Sequence, residues 1–169
     1  MKGGVLVAGI GNVFQTDDAF GVEVASRLAA RTLPPGVRVE DFGIRGVHLA
    51  YELLEGYDAL ILIDAVPMGD APGTLVVIEP EVDEDSSAAA EAGVPAVDAH
   101  TMSPDVVLAT LSRLGGSVGR IRIVGCQPAD LQDGMGLTPA VEAAVDIAVE
   151  LCLELVADIV QLTGKGNPS

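Results

Sequence analysis

The sequence predicts an α/β fold: a single-domain three-layer sandwich, in which a twisted, mostly parallel sheet of about five strands carries helices on both faces. Three observations predict it. Short runs of small and β-branched apolar residues alternate with stretches of helical periodicity along the chain. The most apolar run, Ala59-Leu60-Ile61-Leu62-Ile63, has no polar alternation, as a central strand covered on both faces requires. Finally, Val5 to Gly21, VLVAGIGNVFQTDDAFG, reads as strand, tight turn, acidic pair and helix start. Residues 1–163 form the domain and 164–169 a frayed tail.

Taken in order, Val5-Leu6-Val7-Ala8 is the first strand, and Gly9, Gly11 and Asn12 allow the chain to turn sharply after it. Asp17 and Asp18 follow, one of them expected to cap the next helix. That helix covers Ala19 to Arg31, with Phe20, Val24, Leu28 and Ala29 as its apolar stripe. Pro34-Pro35-Gly36 closes the unit. Val37 to Phe42 alternates as a second strand, Gly43 to Gly46 turns, and Val47 to Leu54 is a short helix with His48 near its start. Ala59 to Ile63 ends in Asp64. A turn at Pro67 to Gly73 leads into the strand Thr74 to Ile78, too close behind for a helical crossover and so antiparallel to its predecessor.

Glu79 to Ala99 differs in kind, with Glu79, Glu81, Asp83, Glu84, Asp85 and Glu91 among Ser, Ala and Gly. It reads as a solvated loop that delivers the chain to His100. Ser103-Pro104-Asp105 opens a helix that Gly115-Gly116 ends. Arg120 to Gly125 is the last strand. Thr138-Pro139 opens a long helix whose stripe is Val141, Val145, Ala148, Cys152, Leu155 and Ile159.

Composition narrows the function. Nine cationic and 25 acidic residues give a formal charge of −16, which opposes nucleic acid and anionic membrane surfaces. The sequence holds no apolar run of about 20 residues to span a membrane. Cys126 and Cys152 form no C-x-x-C and read as buried thiols of a reducing compartment, so the chain is expected to be cytoplasmic. A dinucleotide turn is also disfavoured, because Phe14 stands where its third glycine belongs and two carboxylates would repel a pyrophosphate.

Asp18 after the first strand, Asp64 after the third and His100 after the acidic loop are the candidate ligands. Two carboxylates and an imidazole can hold a divalent transition ion and leave positions open for water or substrate. Their separations, 46 and 36 residues, match no short metal motif, so the set rests on topology. Asp41, at the end of the second strand, is either an additional site residue or a turn cap for Gly43. No Ser-His-Asp set, H-E-x-x-H helix or activated-cysteine signature is present.

The ordered set of motifs is specific. It comprises Gly9-Ile10-Gly11-Asn12 with Asp17-Asp18, Asp41-Phe42-Gly43-Ile44-Arg45-Gly46, and Leu62-Ile63-Asp64-Ala65-Val66. Ala71-Pro72-Gly73-Thr74, His100, Gly125-Cys126-Gln127-Pro128 and Gly136-Leu137-Thr138-Pro139 follow. Along nearly its whole length the chain resembles the nickel–iron hydrogenase maturation endopeptidases. The resemblance implies a cytoplasmic, monomeric, aspartic-type protease that trims a C-terminal extension from the nickel-loaded precursor of the hydrogenase large subunit. It implies that Asp18, Asp64 and His100 form the metal and catalytic site, with nickel supplied by the substrate and zinc or cadmium able to occupy the site in isolation. Relatives often carry glutamate at the Asp18 position, and some carry a small residue at the Arg45 position. A nickel-sensing chaperone that does not cut, or an independent metallopeptidase, would use the same residues.

Overall fold

A computed structural model describes residues 3–80 and 104–165. The strands are β1 (Val5–Ile10), β2 (Val37–Gly43), β3 (Ala59–Ala65), β4 (Leu75–Ile78) and β5 (Arg120–Cys126). A 3-10 turn (Thr16–Ala19) precedes α1 (Phe20–Ala29), and the remaining helices are α2 (Gly46–Leu53), α3 (Pro104–Arg113) and α4 (Pro139–Lys165). The strands form one sheet in the order β2-β1-β3-β5-β4, parallel except for β4.

Strand alternation builds the two outer layers. Val5 and Val7 of β1 and Ile61 and Ile63 of β3 face one way and pack with α1 and α4. Leu6, Ala8, Leu60 and Leu62 face the other way and pack with α2 and α3. β1, β3 and the middle of β5 are therefore apolar on both faces, as buried parallel strands require. From β1 the chain crosses to β2 on one side, then to β3 on the other. The two crossovers diverge between β1 and β3, leaving a crevice at their carboxyl ends.

Several details differ from the sequence expectations. β4 runs antiparallel to β3 as expected but pairs with β5, because β5 takes the inner position beside β3 and leaves β4 at the edge. In α1 the buried alanine is Ala25, not Ala29. In α4 the stripe includes Ala144, Val149 and Val156, while Leu155 is only partly buried, so the helix presents a broader face than one residue per turn. The helix continues through Gly164 to Lys165. Residues 166–169, most of the acidic loop, His100 and the helix start at Ser103 lie outside the described residues. Among the described residues no helix is long and apolar enough to cross a membrane.

Candidate functional site

The turn after β1 is shaped by three close approaches. A Cβ on Gly9 would collide with the Gly21 carbonyl and with Ala25 Cβ; one on Gly21 would collide with the carbonyls of Ile63 and Ile10. The first turn of α1 thus lies directly on the ends of β1 and β3. Gly21 performs the close-packing task for which the sequence offered no third glycine at Phe14. Gly11, at φ 143°, lies against the Asp18 carbonyl, where any side chain would clash.

Asp17 does not cap α1, and neither does its neighbour: the expectation that one of the pair would do so is not met. Asp17 is fully buried and reaches across the molecule to the loop between β5 and α4. Its Oδ2 accepts the N–H groups of Ala129 (2.8 Å) and Asp130 (3.0 Å). Its Oδ1 accepts the Thr138 N–H (2.8 Å), and the Thr138 hydroxyl bridges both oxygens. Burial pushes this carboxyl up, but the donors together outweigh it and hold Asp17 below the ordinary range. The backbone joins in: Asp17 N–H donates to the Asp130 carbonyl, Thr16 N–H to Gly134, and Gly134 N–H to Phe14. Thr16 is the one described non-glycine residue at positive φ (50°).

Asp18 and Asp64 lie at the crevice, near enough for the charge of one to act on the other. Asp64 continues the row of Leu60 and Leu62 at the end of β3 and is 5% exposed. Burial pushes its carboxyl well above the usual range, the charge of Asp18 adds to that push, and the Ala65 N–H offsets a part. Asp18 is half-buried; its Oδ2 accepts the Asn12 N–H at 2.8 Å. Burial raises its carboxyl too, against the pull of that hydrogen bond. Two carboxylates that disfavour each other's charge in a desolvated crevice suit a shared cation, which relieves both costs. The oxygens described do not distinguish magnesium or calcium from a softer ion; a nitrogen from His100 would favour nickel or zinc.

The structure therefore places two of the three candidate residues at the same crevice, within electrostatic reach of each other. Among the described residues no set of three His, Cys, Asp or Glu side chains could hold a metal, and His100 lies outside them. Asp41 takes its other reading: it is exposed, and its Oδ1 accepts the Gly43 N–H at 2.7 Å as a turn cap. Arg45 spends its guanidinium on the Asp41 and Phe42 carbonyls of the same turn. His48 is exposed on α2. Both thiols are buried and free. Burial, then the charge of Asp17, pushes Cys126 up to about 11 despite the Gly73 N–H, and burial pushes Cys152 up to about 12.

A profile described as hydrogenase maturation protease matches residues 22–155. The hydrogenase expression/formation protein HupD of Rhodobacter capsulatus is 39% identical over 143 residues, covering 83% of this chain and 65% of that protein. The hydrogenase 2 maturation protease of Escherichia coli is 35% identical over 148 residues, covering 83% of each. The chain thus spans just under two thirds of the first relative's length and 59% of HupM from Azotobacter chroococcum. Among solved structures, the hydrogenase maturating endopeptidase HybD of E. coli superposes with a TM-score of 0.74 at 32% identity, covering 92% of this chain and 93% of that one.

Proposed function

The chain belongs to the hydrogenase maturation protease family, and from that premise we propose that it is an endopeptidase of the nickel–iron hydrogenase large subunit. It removes a C-terminal peptide from the nickel-loaded precursor. The observation that carries this reading is the nearness of Asp18 to Asp64, whose charges act on each other at the crevice between β1 and β3, the place where an open parallel sheet binds its ligand.

Asp18 and Asp64, with His100 as the third ligand, bind the metal-bearing segment of the precursor and orient the peptide bond beside it. The substrate's nickel supplies Lewis acidity toward the scissile carbonyl or an attacking water. Hydrolysis adds one water across the bond, leaving a carboxylate on the mature subunit and an amine on the released peptide. Both cysteines are buried neutral thiols, so a thiolate nucleophile has no support. The enzyme acts as a cytoplasmic monomer, and zinc or cadmium can take the place of nickel in the isolated protein.

The test incubates the protein with precursor loaded with nickel or stripped of it and follows subunit length on a gel. Loaded precursor should shorten and stripped precursor should not. Asp18→Asn, Asp64→Asn and His100→Ala should each abolish processing without a lower melting temperature. A stable uncleaved complex would point to a nickel-sensing chaperone, and cutting of generic peptides to an independent metallopeptidase. Normal processing by the three variants would remove the residue-level basis of the proposal.

A further inference from the structure

We propose that Asp17 is the positioning residue of this site: it sets the direction of Asp18 by locking the turn that carries both onto the loop between β5 and α4. The inference rests on the reading of Asp18 as a metal ligand. Asp17 and Asp18 are consecutive in the 3-10 turn Thr16–Ala19. Successive side chains diverge by roughly 120° in such a turn, so anchoring Asp17 on one side directs Asp18 to another.

The anchor is built for a carboxylate. Every described group that meets Asp17 Oδ1 or Oδ2 is a donor: three backbone N–H groups and the Thr138 hydroxyl. An amide has one acceptor oxygen, and its NH2 would face donors on the other side. The anchor also sustains a strained neighbour. Thr16 holds φ 50°, and its N–H and hydroxyl bind the Gly134 and Gln132 carbonyls of the same loop. Asp18 has looser support, the Asn12 N–H being the one side-chain hydrogen bond described for it. Its aim is therefore inherited from the turn, as a metal ligand's aim is inherited from the groups behind it.

The experiment titrates nickel chloride into the purified full chain by calorimetry, beside thermal melts. The set is the parent, Asp17→Asn, Asp18→Ala and the double variant, with Thr138→Val and Thr138→Ser. Asp17→Asn should weaken nickel binding about 10–100-fold at temperatures where the variant is folded. In the Asp18→Ala background it should cost nothing further, since its effect passes through Asp18. Thr138→Val, which removes only the bridging hydroxyl, should show a smaller loss that Thr138→Ser restores. Parent-like affinity in Asp17→Asn overturns the proposal, and so do losses that multiply in the double variant, as a general structural clamp would give. If Asp17→Asn does not fold, unchanged affinity in Thr138→Val overturns it instead. Parent-like nickel binding by Asp18→Ala is a separate result: it overturns the site reading itself, and this proposal with it.

Discussion

Three carboxylates, Asp17, Asp18 and Asp64, are held in three different ways. Asp17 is buried among donors and kept ionised, Asp18 is half-buried on one N–H, and Asp64 is buried against a like charge. The last two should both make the fold less stable, Asp64 the more so. A carboxyl raised on folding keeps its proton to a higher pH in the native chain than in the unfolded one. Stability therefore falls as pH rises from the ordinary carboxylate range, about 4, through Asp64's own raised value. Asp64→Asn removes that cost, so the variant should melt above the parent at pH 8, with the gap closing as pH falls toward about 4. A lower melting temperature at pH 8 would mean that Asp64 is stabilised by a partner.

At the scale of elements, α4 shows how a stripe read one residue per turn underestimates a helix that lies along a sheet. Ile159 is buried against the strand face that β1, β3 and β5 share, whereas Leu155 sits at the margin of that contact. Ile159→Ala should cost about 2–5 kcal/mol in denaturant unfolding. Leu155→Ala should cost clearly less, because much of its side chain keeps its water. Equal losses would mean that α4 is rotated about its axis from the orientation described. α1 was legible almost to the residue, but its seating was not. The side chains that must be absent at Gly9 and Gly21 are dictated by Ala25, Ile63 and each other's backbone.

For the whole molecule, the governing quantity is charge. The described ion pairs, such as Arg27 with Glu23 within α1 and with Glu142 and Asp146 of α4, lie at the surface, where a pair contributes about 0–1 kcal/mol. Against them stands a net charge of −16 on 169 residues. Self-repulsion of that size should dominate, so raising sodium chloride from ~0.01 M to ~0.5 M should raise the melting temperature as the Debye length contracts. A fall would show that the arginine networks carry more of the fold than their exposure implies.

The sequence by itself determined the layer order and the candidate pair. Period-two strands, helical stripes and glycine turns are local, and an acid just after a parallel strand falls at its carboxyl end whatever the rest does. Asp18 and Asp64 could thus be named before any coordinates, as could the two readings of Asp41. What the tertiary structure decided was everything that depends on a partner far along the chain. The hydrogen-bond partners of Asp17 lie 112 to 121 residues away, so one member of a pair expected to supply a helix cap instead joins its own turn to a distant loop. β4 found β5, and not β3, because β5 takes the inner position beside β3 and leaves β4 at the edge. No window of sequence contains both members of such a contact; it exists only once the sheet has closed the distance between them.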